Sequence, residues 1–161
     1  MDIFKFAKQM EKEGEGYYRD LAKKTAVPGL REILTMLADS EVNHYRVFQN
    51  MEKQLPCKLP NTPFLSSAKA VFAQMKGEQK LIASDQTQIA LYRKALDIEE
   101  TSRDFYIEKA KQLENHEQKA VLMKIADQEK QHYQIVDNMI DLILAPELWL
   151  ENAEWHHLDE Y

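Results

Sequence analysis

One cysteine (Cys57), four glycines and five prolines in 161 residues leave little material for several common architectures. A lone thiol excludes an intrachain disulfide framework, a zinc ribbon and a Cys-x-x-Cys redox pair. So few glycines and prolines argue against a β-sandwich or barrel, which turns the chain at short intervals. No apolar run approaches the ~20 residues needed to span a bilayer. Met1-Asp2-Ile3-Phe4-Lys5 leads straight into an amphipathic pattern, so no signal peptide is expected. The formal net charge of −6 argues against nucleic acid as a partner. What remains, at this length and 44% hydrophobic, is one compact core. The expectation is a cytoplasmic, reduced, all-helical protein.

The abundant Ala, Leu, Ile, Glu, Lys and Gln fall into helical stretches. The first is expected over about 2–25, with Phe4, Ala7, Gly14, Tyr18 and Leu21 at three- and four-residue spacing. A second opens at Pro28, well suited to a first helical turn, and runs to about Gln54, after which Pro56, Pro60 and Pro63 break it. A short helix is predicted over 66–75 and stopped by Gly77; a third long helix covers about 84–113. The fourth starts at Asn115, which with Gln118 makes a capping box, and ends before Pro146. A last short segment, 147–157, carries Trp149, Leu150 and Trp155, placed to seal the bundle or a subunit contact. The joints within each long pair are very short, so each pair is an antiparallel hairpin. The stretch from Leu55 to Ala83 is long enough to cross the bundle end to end. The fold class is all-α: a four-helix bundle of two hairpins with one long crossover over 1–145, then a tail over 146–161.

Sliding the chain against itself by 88 residues exposes an internal repeat. Residues 7–51 fall on 95–139 without a gap, with 13 identities over 45 positions. Leu37-Ala38-Asp39-Ser40-Glu41-Val42-Asn43-His44-Tyr45 meets Ile125-Ala126-Asp127-Gln128-Glu129-Lys130-Gln131-His132-Tyr133. The inward line of the second helix reads Leu34, Leu37, Glu41, His44, Phe48, Met51, Leu55. That of the fourth reads Leu122, Ile125, Glu129, His132, Val136, Met139, Ile143. The first and third helices present Phe4, Ala7, Glu11, Gly14, Tyr18, Leu21 and Tyr92, Ala95, Glu99, Ser102, Tyr106, Leu113. Each apolar stripe is interrupted at mid-height by a glutamate, and two of those glutamates are followed by histidine one turn on.

Four carboxylates inside one bundle cannot stay ionised unaided, because each desolvated charge costs several kcal/mol and repulsion adds to it. Two divalent ions would cancel them and leave a balance of −2, an ordinary surface. Oxygen and imidazole donors without thiolate suit iron or manganese better than structural zinc. Glu-x-x-His alone is a weak signal: chance gives fewer than one in this chain, and there are three. Glu154-x-x-His157 has no repeat partner and reads as coincidence. The other two each have a glutamate 30 residues upstream on a neighbouring stripe. One glutamate from each of two helices plus Glu-x-x-His from each of the others is a dinuclear metal arrangement. The candidate ligands are therefore Glu11, Glu41, His44, Glu99, Glu129 and His132.

Tyr18 and Tyr106 lie two turns from Glu11 and Glu99, where each phenol either hydrogen-bonds a ligand carboxylate or simply fills the core. Glu13, Glu15, Glu100, Asp39, Asp127, His116 and His156 read as solvated, the methionines as core filler, and Cys57 as a thiol without local partner.

These residues resemble the rubrerythrin family of the ferritin-like superfamily. The likeness covers about 2–144 and rests on Glu11-x-x-Gly14 followed by Tyr17-Tyr18, Glu41-x-x-His44, Glu99 followed by Phe105-Tyr106, and Glu129-x-x-His132. The tail from Trp149 to Trp155 looks like that of stand-alone members. The resemblance implies a ferritin-like bundle with two iron ions, manganese or zinc being the other candidates. It implies reduction of hydrogen peroxide or dioxygen by cycling between Fe(II)Fe(II) and Fe(III)Fe(III). On that analogy Glu41 and Glu129 bridge the irons, Glu11 and Glu99 are terminal ligands, and His44 and His132 bind one iron each. At least a homodimer is also implied. Two departures matter. Rubrerythrins proper carry a four-cysteine rubredoxin module that this chain lacks, so electrons must come from a separate donor protein. Ser102 stands where they have an extra ligand glutamate that exchanges with a histidine as iron changes oxidation state; with serine there, His44 is expected to stay bound in both states, as in bacterioferritin-like sites. The alternatives are a ferroxidase that oxidises and sequesters Fe(II), and a non-enzymatic helical interaction module with a vestigial or zinc-filled site.

Overall fold

The computed structural model describes residues 2–60 and 63–147, so nearly all of the 147–157 segment lies outside the described residues. Four long helices dominate: α1 (Ile3–Lys24), α2 (Pro28–Glu52), α5 (Ile89–Ala110) and α6 (His116–Leu144), with α3 (Phe64–Gln74) and α4 (Gln79–Ser84) in the crossover. No strand occurs among the described residues. At 1.5 Å per residue the long helices span ~33–44 Å, the scale of a bundle rather than a cluster of short helices.

Local chemistry sets the ends. Asp2 caps α1 by accepting from the Phe4 and Lys5 amides, and Lys23 and Lys24 sit where the helix dipole favours cations. Pro28 opens α2 and Asn115 caps α6 by accepting from the Gln118 amide. α2 ends in a Schellman motif: the Leu55 amide reaches the Asn50 carbonyl at 2.8 Å and the Gln54 amide reaches Met51 at 3.1 Å. Gln54 takes the left-handed conformation (φ 57°) that this motif requires. That turn swings Leu55 out of the inward line, and it is 51% exposed.

Thr25, after α1, donates to Asp85 ahead of α5 at 2.5 Å, and Gln86 Nε2 reaches the Ile143 carbonyl near the end of α6 at 3.4 Å. The starts of α2 and α5 and the ends of α1 and α6 therefore meet at one end. The crossover carries the chain back along the bundle. The short helix ends ahead of Gly77 as expected, α3 covering Phe64–Gln74, but Gly77 has no positive φ and lies inside the 3₁₀ turn that follows. The 3₁₀ turns at Met75–Glu78 and Asp85–Gln88 join α3, α4 and α5, so the third long helix starts at Ile89 rather than near Ser84. Ala68, Phe72, Met75 and Ile82 anchor the crossover in the core, each large apolar side chain contributing ~1.5–3 kcal/mol.

Gly29 sits beneath that crossover: a Cβ there would lie 2.4 Å from Met75 Cγ. Gly29→Ala is expected to destabilise the fold by ~1–3 kcal/mol through overpacking, despite better helix propensity. Urea denaturation at constant m-value checks this; an unchanged midpoint would show that Met75 can move aside.

The core falls into two apolar clusters. One, toward the Thr25 end, includes Tyr18, Leu34, Leu37, Phe72, Tyr92, Met139 and Ile143; the other includes Ala7, Phe48, Met51, Tyr106, Leu122 and Ile125. Between them lies a polar belt.

Candidate metal centre

The belt is made of Glu11, Glu41, His44, Glu99, Glu129 and His132, each no more than 3% exposed. Helix periodicity puts each in line with apolar neighbours one turn away, such as Ala7 below Glu11 and Leu37 before Glu41. Among the described residues, two overlapping groups have ligand atoms within 4.8 Å of one another. Glu11, Glu41, His44 and Glu129 form one, and Glu41, Glu99, Glu129 and His132 form the other. Glu41 and Glu129 belong to both.

Both imidazoles turn Nδ1 toward the carboxylates. His44 Nδ1 lies 2.8 Å from Glu129 Oε1 and 3.4 Å from Glu11 Oε2; His132 Nδ1 lies 3.0 Å from Glu41 Oε1 and 3.3 Å from Glu99 Oε1. The outer nitrogens are occupied: His44 Nε2 meets Gln128 Oε1 at 2.7 Å, and His132 Nε2 meets Ser40 Oγ at 2.9 Å. Donation from Nε2–H to those oxygens leaves each Nδ1 lone pair free to bind a cation. The residues fit such a cation. His44 Nδ1 and Glu129 Oε1 approach closely yet make no hydrogen bond of proper geometry, and Glu11 Oε2 and Glu99 Oε2 are likewise buried without one. Converging ligand atoms left without a hydrogen bond, as Glu11 Oε2, His44 Nδ1, Glu129 Oε1 and Glu99 Oε2 are, suit a shared ion.

The protons follow the same logic. Burial, then the charges of Glu11 and Glu99, push the Glu41 carboxyl well above its ordinary range, and burial with Glu11, Glu41 and Glu99 does so for Glu129. Burial also opposes ionisation of Glu11 and Glu99, but the His44 and His132 charges and hydrogen bonds that include a tyrosine each outweigh it and hold both below the usual value. Without an ion, the shared pair therefore keeps its protons to higher pH than Glu11 and Glu99 do.

Tyr18 and Tyr106 do hydrogen-bond glutamates, but across the bundle rather than along their own helices. Tyr18 donates to Glu99 Oε1, and Tyr106 donates to Glu11 Oε1 at 2.6 Å. The antiparallel run of α1 and α5 brings position 18 level with 99 and 106 level with 11; along one helix the same groups are separated by a rise of ~10 Å. Burial and the glutamate charges raise both phenols well above 10, so they stay neutral donors. Tyr106→Phe is expected to weaken metal affinity by ~10–100-fold, the usual cost of losing a ligand's hydrogen-bond partner. Competition against a chromophoric chelator measures it, and unchanged affinity would reduce Tyr106 to a core ring.

Ser40 and Gln128 were not singled out by sequence reasoning because they differ between the repeats. The available signal was their position, one residue ahead of each Glu-x-x-His glutamate. Asp39 is exposed and pairs with Arg19 at 3.1 Å, and Glu13, Glu100, His116 and Asp127 are exposed too. Phe4 and Leu113 are only half-buried. Cys57, expected to lack a partner, is buried with its thiol 3.9 Å from Glu117. No described helix is long and apolar enough to cross a membrane.

A four-helix bundle with overlapping carboxylate–histidine clusters contributed by all four helices defines the ferritin-like class of metal-binding bundles. Within it, the chain belongs to the rubrerythrin family, whose model, described as Rubrerythrin, matches residues 2–140. No curated protein and no solved structure matched significantly. The family is one of di-iron oxidoreductases, and the buried clusters are compatible with that use of metal.

Proposed function

We propose that this protein is a di-iron oxidoreductase that reduces hydrogen peroxide, or dioxygen, with electrons from a separate donor protein. The observation that carries the reading is the membership of Glu41 and Glu129 in both clusters: two ions can share them, with Glu11 and His44 completing one site and Glu99 and His132 the other. Bound iron supplies Lewis acidity and the two electrons needed to cleave a peroxide O–O bond. The chain's own groups do the rest. Tyr18 and Tyr106 orient the terminal carboxylates, Gln128 and Ser40 hold the Nε2 protons, and the two apolar clusters keep bulk water from the belt. Ser102, one turn beyond Glu99, brings no carboxylate that could take the place of His44 on a bound ion. With this reading go a homodimeric or larger cytoplasmic assembly, and a 1–145 domain built from the 7–51 and 95–139 repeats.

Anaerobic reconstitution followed by stopped-flow mixing tests it. Two irons per chain, oxidised faster by hydrogen peroxide than by dioxygen, are expected. Much faster oxidation by dioxygen with uptake of many irons would replace the reading with iron storage; stable zinc without turnover would replace it with a structural module.

A further inference from the structure

Among the described residues, surface openings approach the polar belt from three sides. One, beside Phe64, reaches Ser40, whose hydroxyl already occupies His132 Nε2. Another, under the Cys57–Pro60 stretch, reaches Gln128, which occupies His44 Nε2. The third is a groove of about 660 Å³ between α1 and α5. Its buried lining is Gly14 and Ser102, one turn beyond Glu11 and Glu99. A Cβ on Gly14 would stand 3.0 Å from Glu41 Oε2, so the residue that lies between groove and carboxylate contributes no side chain of its own. None of the three is lined by a belt carboxylate itself, but this one is lined by Gly14, the glycine packed against Glu41.

The groove's character narrows its occupant. Phe6, Met10, Ile98 and Phe105 make it mostly apolar, with Phe6 and Phe105 in ring contact at 5.0 Å. Its exposed charges, Glu13, Asp97 and Lys94, are of mixed sign and select for no charged ligand. Its volume is roughly twenty times the ~30 Å³ of one water molecule, far more than hydrogen peroxide fills. Apolar walls leading to a polar end suit a molecule with an apolar body and one small reactive head.

We propose that this groove binds organic hydroperoxides, with the apolar tail against Phe6, Met10, Ile98 and Phe105 and the peroxide head toward Gly14 and Glu41. The inference rests on the peroxide-reducing reading above and names its substrate class. The reaction is ROOH + 2e⁻ + 2H⁺ → ROH + H₂O: the O–O bond breaks, two O–H bonds form, the electrons come from the donor protein and the protons from solvent.

The test compares cumene hydroperoxide with hydrogen peroxide on the iron-loaded full chain and on Phe6→Glu, a half-exposed position that tolerates charge. Separately, the zinc-loaded full chain is titrated with cumyl alcohol and followed by NMR. Phe6→Glu should lower the cumene-to-hydrogen-peroxide ratio of kcat/KM at least tenfold, chiefly through KM. The alcohol should shift Met10, Ile98 and Phe105 signals in the native chain, and bind the variant at least tenfold more weakly. If Phe6→Glu loses its helical circular dichroism, Thr101→Trp, which fills the groove from its exposed edge, takes its place with the same expectation. Equal loss toward both peroxides overturns the proposal. So does hydrogen-peroxide turnover without alcohol binding, the result if a second copy of the chain covers the groove. Alcohol binding without turnover of either peroxide would instead overturn the peroxide-reducing reading and leave the groove an apolar ligand site.

Discussion

Replacing Glu41 with glutamine is expected to abolish binding of both metal ions while making the metal-free chain more stable. Glu41 belongs to both clusters, so its loss removes a donor from each, whereas Glu11→Gln removes a donor from only one. The gain in stability has the opposite origin. Glu41 is 3% exposed and lies close to Glu11, Glu99 and Glu129, so ionising it without a cation costs both desolvation and repulsion. Glutamine keeps the shape and can still hydrogen-bond His132 Nδ1, which stands 3.0 Å from Glu41 Oε1, through its amide. The expected gain is ~1–3 kcal/mol, or several degrees in Tm for a chain of this length. Metal analysis and thermal denaturation of the stripped proteins give both numbers. A variant that still binds two ions, or one that melts lower than the native metal-free chain, would count against the shared-carboxylate arrangement.

Metal loading should raise the Tm, and by more at higher pH. At free metal ~1,000 times Kd, binding adds ~4 kcal/mol, about 8–16 °C at ~2–4 °C per kcal/mol. The pH dependence follows from the carboxyls. Glu41 and Glu129 are raised above the 4.5 of an unperturbed glutamate, so their contribution to metal-free stability is complete below that value and lost as pH climbs through their folded values. His44 acts with the same sign above 6.5: burial alone would lower it, but the Glu11 charge and the hydrogen bonds to Glu11 and Gln128 raise it. Glu11 and Glu99, lowered from 4.5, oppose this only in acid, where their contribution disappears as pH falls. The metal-free chain therefore weakens between neutral and alkaline pH. Ligation requires deprotonated carboxylates and neutral imidazole, so metal binding releases protons and tightens over the same range. Denaturation scans at about pH 6 and pH 8, with and without metal, read the difference; an increment that does not grow with pH would contradict the raised carboxyls of the shared pair.

The six belt residues were legible in the sequence because the information is local. A histidine three residues after a glutamate shares its helix face wherever that helix goes, and the 88-residue offset marks the same face twice. Helix starts at Pro28 and Asn115 were readable for the same reason, since caps act within one turn. The crossover was harder. Gly77 suggested a stop and α3 does end at Gln74, but the chain then runs on through 3₁₀ turns and α4, held by Met75 and Ile82 in the core, because tertiary packing overrides local propensity.

Sequence alone thus determined that four glutamates and two histidines face inward at one height, because helical periodicity and short hairpin joints leave them no other place. Tertiary structure decided which tyrosine holds which glutamate, that Ser40 and Gln128 take the outer imidazole nitrogens, and that a groove opens over Gly14. Those contacts join residues up to 95 positions apart. They depend on how the two hairpins are set against each other, a geometry that the packing of whole helix faces and the crossover imposes and no single stretch of chain encodes.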